Sequence, residues 1–137
     1  NSGQTVAQLA TLETGNVTNG NWTLANSGGL RVENIGNVNV TLNLSAAKTA
    51  ATFIGGTSPG YQWNISNVEA NSCRNDTGFQ NVSMNVWVGT STTTATICSP
   101  FQFVSGSDVI RIDLNLTIPE NSLTGALGDI LTFTATA

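Results

Sequence analysis

No histidine occurs anywhere in the 137 residues. That absence removes both the usual general base near neutral pH and the commonest metal ligand. Cations are almost as scarce: Arg31, Lys48, Arg74 and Arg111 stand far apart. Without a basic patch the chain offers a nucleic acid or an anionic lipid surface no electrostatic footprint. No apolar run approaches the roughly 20 residues of a membrane-spanning helix, so membrane insertion is not expected. Two cysteines, Cys73 and Cys98, are too few for a metal cage in such a chain. In an oxidising compartment they are expected to form a disulfide, closing a loop worth roughly 3.5 kcal/mol; the alternative is two buried thiols.

Charged residues make up 9% of the chain, against about 25% in an ordinary globular protein. Asn, Thr, Ser and Gly take their place, giving a polar but almost uncharged surface of the kind found outside cells. Apolar content of 39% still suffices for a core, so disorder is not indicated. The length fits one domain. A chain that begins at Asn1 rather than Met fits removal of a leader.

Alternation with period two dominates the pattern. Val38, Val40, Leu42 and Leu44 share one side, with Asn39, Thr41 and Asn43 on the other. Tyr61, Trp63 and Ile65 form a second apolar row, and Val82, Met84, Val86 and Val88 a third. The longest row is Ile110, Ile112, Leu114, Leu116 and Ile118, and Leu131, Phe133 and Ala135 repeat it near the end. Rows of this kind belong to antiparallel sheets with one buried face. Turn signals separate them, among them Asn19-Gly20, Gly55-Gly56, Ser58-Pro59-Gly60 and Ser105-Gly106. One helical turn fits within residues 46–51. The fold class that follows is all-β: an antiparallel β-sandwich, jelly-roll or immunoglobulin-like, with an extended N-terminal strand.

Asn-x-Ser/Thr occurs at Asn16, Asn21, Asn39, Asn43, Asn64, Asn75, Asn81 and Asn115. Composition alone gives about four such tripeptides, so the count is a modest excess. Phase adds weight, because Asn39, Asn43, Asn64, Asn81 and Asn115 fall on the polar side of their rows, where a glycan can stand in solvent. N-linked glycans at several of these sites are expected. The competing reading is that Asn and Thr are simply the surface residues of this protein.

Chemistry finds little foothold. A serine nucleophile would need Lys48, the single lysine, as its base. The eight acids, Glu13, Glu33, Glu69, Asp76, Asp108, Asp113, Glu120 and Asp129, show no spacing that pairs two for glycoside hydrolysis. Asp108 and Asp113, five apart on one strand, project to opposite faces, whereas Arg111 with Asp113, and Arg31 with Glu33, suit surface ion pairs. No enzyme and no cofactor is expected. Tyr61 and Trp63 share the phase of Ile65 and are expected in the core rather than on a sugar-stacking platform. Trp87 opposes the phase of Val86 and Val88, which makes it the first candidate for an outward interface residue.

The segment Gln4, Thr5, Val6, Ala7, Gln8, Leu9, Ala10, Thr11, Leu12 has strand character with small apolar groups on both sides, as suits a strand held between neighbours. A polar, Gly-containing connection over residues 13–20 follows it. A non-Met start with an extended segment, a β-sandwich and repeated glycosylation signals together resemble the secreted filament subunits of archaea, the threads and bundling pili, which are similar to the TasA/camelysin fibres of bacteria. The resemblance implies that residues 1–13 are an extension whose strand, residues 4–12, is donated to the next copy. The sandwich of residues 14–137 would supply the acceptor edge, and partners would be further copies, head to tail, outside the cell. Residues 30–42 and the C-terminal region of residues 118–134 also look like generic immunoglobulin-like modules of prokaryotic surface proteins. That likeness leaves an ordinary first strand, and a binding module of an adhesin or S-layer protein, as the alternative.

Overall fold

The computed structural model describes residues 6–11, 16–20, 28–74 and 83–137. Among the described residues nine strands and one short helix follow in chain order: β1 (Ala7–Ala10), β2 (Asn16–Thr18), β3 (Leu30–Glu33), β4 (Val40–Ala46), α1 (Ala50–Phe53), β5 (Gly60–Asn67), β6 (Val88–Gly89), β7 (Ala95–Phe101), β8 (Val109–Ile118) and β9 (Leu131–Thr136). They build two antiparallel sheets, and the all-β sandwich expected from alternation is the fold observed. The larger sheet runs β2-β1-β8-β5-β6, with β3 also paired to β8; the smaller runs β7-β4-β9.

The ten-residue β8 organises the larger sheet. β5 pairs along one of its edges from Asn67↔Ile110 to Gly60↔Thr117. Its other edge is shared end to end, with β1 against residues 115–118 and β3 against residues 109–112. Residues facing each other across an antiparallel pair lie on the same face, so the row Ile110, Ile112, Leu114 and Leu116 gathers Ile65, Trp63, Tyr61, Val32 and Leu9 on the inner side. Against it packs the inner row of the smaller sheet: Leu42, Leu44, Ile97, Cys98 and Phe101, all buried. Burying one such side chain stabilises the fold by about 1.5–3 kcal/mol.

The helical turn expected near residue 50 is α1, which Thr49 starts. The Thr49 hydroxyl accepts from the Thr52 amide while the Thr52 side chain accepts from the Thr49 amide, a reciprocal cap. A departure occurs at residues 82–88, read as one alternating strand. Val82 lies outside the described residues, Met84 makes an isolated bridge to Ile65, and only Val88–Gly89 enters the ladder. Asn85 breaks the run with φ of 59°, a left-handed conformation that asparagine tolerates and a β-branched residue does not.

Cys73 and Cys98 form a disulfide, with Cα atoms 5.5 Å apart, tying the loop after β5 to the centre of β7. Replacing both cysteines with alanine should lower the unfolding free energy in urea by about 3.5 kcal/mol or more, because the loop constraint is lost and two buried sulfurs leave space. A loss below about 1 kcal/mol would show that the core holds residues 68–74 without the bond.

Candidate functional site

Two seams stand out as places where polar side chains gather: the contact of β1 with β8, and the end of the sandwich beside the disulfide. The first is built by a short strand with small side chains. Ala7 and Ala10 are buried on opposite faces of β1, while Gln8 and Leu9 are half-buried. β2 pairs with the outer edge of β1, from Gln8↔Thr18 to Ala10↔Asn16. The expectation of a strand held between two neighbours therefore holds for residues 7–10.

Where β1 ends, Thr11 fastens it. Its amide donates to the Leu114 carbonyl at 2.9 Å, and its hydroxyl accepts from the Leu114 amide at 2.8 Å. The same hydroxyl donates to Asp113 Oδ1 at 3.0 Å. Asp113 Oδ2 in turn accepts from Arg111 Nε at 2.8 Å. Gly29 approaches the same spot from the start of β3: a Cβ there would fall 2.6 Å from Asp113 Oδ1 and 2.8 Å from the Ile112 carbonyl oxygen, so only glycine fits without a shift. Sequence reasoning paired Arg111 with Asp113 but placed them on the surface. The pair forms, yet Asp113 is 1% exposed, which makes it a buried charge held by two partners. The sequence marks Thr11 only as one residue of the candidate donor strand, since its role as a fastening depends on where β1 meets β8.

The face of the larger sheet that points away from the core is less open than alternation implies. Asn64 and Asn115, expected to stand in solvent as glycan sites, are each 8% exposed. The Asn115 amide donates to Gln62 Oε1 at 3.2 Å, and its oxygen accepts from Gln8 Nε2 at 3.4 Å. Those two expectations are corrected: period two assigns a face but not what lies over it. Asn39 is exposed, just before β4, and Asn43 is half-buried, accepting from the Thr96 hydroxyl at 2.8 Å. Asn16 opens β2; Asn21, Asn75 and Asn81 lie outside the described residues, as do Gln4, Thr5, Leu12 and Trp22.

The donor-strand expectation meets the fold in residues 6–11. In the single chain this stretch lies in its own molecule, paired to its own β8, and does not reach away. Trp87, read as outward, is half-buried, whereas Val86 and Val88 are exposed. Tyr61 and Trp63 are buried in the core as expected. The Tyr61 phenol is pushed far above its usual value, first by burial and then by the carboxylate of Asp129 beside it.

Ser45 stands three residues before Lys48, the Ser-x-x-Lys spacing of some acyl-transfer enzymes. That spacing brings the two side chains together on a helix, but here Ser45 lies in extended β4 and Lys48 Nζ donates to the Gly128 carbonyl. Among the described residues no group of three or more Asp, Glu or Cys is placed to hold a metal ion, and no helix is long and apolar enough to cross a membrane. Family models, curated proteins and solved structures were compared with the chain, and none matches.

At the disulfide end, the Asp108 amide donates to Glu69 Oε2 at 3.1 Å. Ser72 locks the same corner, its hydroxyl donating to the Glu69 carbonyl and accepting from the Val109 amide. Burial, then the neighbouring carboxylates of Glu69 and Glu33, raise the Asp108 carboxyl above its ordinary 3.8. Asp108 precedes β8 rather than lying in it, so its pairing with Glu69 was not visible in strand phase. A raised carboxyl binds its proton more tightly in the folded chain. Its stabilising contribution is therefore complete below the ordinary value and is lost as pH climbs through the raised one. The variant Asp108→Asn should lose less stability than the wild-type chain between pH 3.8 and neutrality. Thermal melts across that range that run parallel for the two proteins would contradict this.

Proposed function

We propose that this domain is a non-catalytic structural subunit of an extracellular, glycosylated filament whose copies are joined by exchange of the N-terminal strand. The observation that carries the reading is the β1–β8 seam. β1 is four residues long, buries only small side chains deeply, and is fastened by main-chain bonds and the side chains of Thr11 and Gln8. No charged side chain precedes Glu13, so the segment carries no ion of its own; what it takes from the buried Asp113 carboxylate, the Thr11 hydroxyl, the Thr11 of a second copy would restore. The same stretch from a second copy would find every partner it has now, which is the condition for domain swapping at low cost. Repeated head to tail, such an exchange does not close and grows a fibre. A disulfide and a surface poor in charge are both compatible with an oxidising, extracellular setting. The rival reading is an immunoglobulin-like or carbohydrate-binding module with its ligand surface around Trp22 or Trp87; Tyr61 and Trp63, buried in the core, add nothing to such a surface.

Deleting residues 1–13 should leave a chain that forms no fibres in electron micrographs and nothing larger than a dimer by light scattering. Adding back a peptide of residues 4–12 should raise its melting temperature. Fibres from the truncated chain, or a full-length chain that is monomeric at every concentration, would overturn the mechanism. Glycans belong to the same proposal. In intact mass spectra of native material, Asn39→Gln should remove one glycan mass, whereas Asn115→Gln should change the mass only by the substitution. Native material with the mass of the bare sequence would end that part of the reading.

A further inference from the structure

We propose that β9 is a second assembly edge, one that pairs antiparallel with the β9 of another copy. On one side β9 pairs with β4 without a register break, from Thr41↔Thr136 to Ala46↔Leu131. Among the described residues no strand pairs with its other side. Leu131, Phe133 and Ala135 face Ala46, Leu44 and Leu42, three buried residues, and so belong to the core-facing row. Yet Phe133 is 37% exposed and Ala135 is exposed as well. Among the described residues nothing fully covers the apolar row where it reaches the sheet edge.

Edges of this kind are normally protected by a charge, a proline, a bulge or an overlying segment. β9 reads Leu-Thr-Phe-Thr-Ala-Thr and has no such residue. From residue 121 to the last residue, Asp129 is the one charged side chain, and its carboxylate oxygens are buried. The chain carries a net charge of −4, so copies repel in general, and this neutral edge is where they meet without like charges in opposition.

Geometry favours a second β9 as the occupant. Facing residues of an antiparallel pair share a face, so the apolar row continues only if inner residues meet inner residues. β9 satisfies this with itself. Setting Phe133 opposite Phe133 places Leu131 opposite Ala135 and Thr132 opposite Thr134, which joins an apolar row on one face and a threonine row on the other. Two three-stranded sheets become one continuous sheet. The contact has two-fold symmetry and closes on itself, unlike the head-to-tail exchange of β1 on the other sheet. It therefore stands independently of that exchange, and in a fibre it would tie neighbouring chains sideways.

The test uses the full chain carrying either Thr132→Cys or Thr134→Cys, each alone and the two mixed, under mild oxidation. The mixture should give a cross-linked dimer whose bond peptide mapping assigns to positions 132 and 134, while each variant alone gives little. Adding Phe133→Lys to both should cut the yield roughly tenfold or more, because two ammonium groups then face each other. Absence of a link in the mixture, equal linking in all three samples, or indifference to Phe133→Lys would overturn the pairing. So would preferential linking of Thr134→Cys to Leu9→Cys of another copy, which would make β9 the acceptor of a donated β1.

Discussion

The main-chain ladders on the two edges of β8 are the constraint from which the rest of this domain follows. One edge belongs to β5 alone, and its long continuous register fixes the inner row that meets the smaller sheet. The other edge is divided between β1 and β3. A strand divided in this way has a junction, and junctions leave backbone groups to satisfy. Thr11 does this at Leu114 and engages Asp113 with the same hydroxyl. One side chain therefore closes the ladder, partners a buried carboxylate and marks where β1 stops.

Burial of Asp113 is tolerable only because both of its oxygens are occupied. An ion pair removed from water gains little over well-packed apolar groups, but losing one partner is costly. The Arg111–Asp113–Thr11 chain therefore sets position more than it adds stability. It distinguishes the seated register of β1 from a slip of one residue, which would also exchange Leu9 for Gln8 on the inner face. A strand whose affinity comes from main-chain bonds needs such a feature, since those bonds are the same in every register.

The two sheets then present different opportunities for assembly. The larger one holds a strand that is small, uncharged and latched at one end, so that the same contacts can come from its own chain or from another. The smaller one ends in β9, whose core-facing row is incompletely covered by its own molecule. Exchange at the first would be directional and open-ended; pairing at the second would be symmetric and closed. If copies assemble as proposed, such backbone edges would supply the specificity, because a molecule with few charges has little electrostatic means of selecting a partner. The carboxylate corner of Glu69 and Asp108 is the exception, and there charge acts within the molecule.

Alternation of side chains was enough to establish an all-β sandwich and to place Tyr61, Trp63, Leu42, Leu44, Ile110 and Ile112 in its core, because a period of two commits a residue to a face whatever the partner strand. Composition similarly anticipated the disulfide. Tertiary structure alone decided the remainder. Asn64 and Asn115 had the outward phase but are buried, Asn115 with hydrogen bonds to Gln62 and Gln8; Trp87 is half-buried while Val86 and Val88 beside it are exposed; Asp108 and Glu69, distant in sequence, share a corner because the loop after β5 returns to the start of β8. Thr11 gained its role from a junction between two strands, and β9 gained its open edge from the number of strands in its sheet. Face is a local property, written in the residue order, whereas cover, neighbours and edges depend on where the other strands lie.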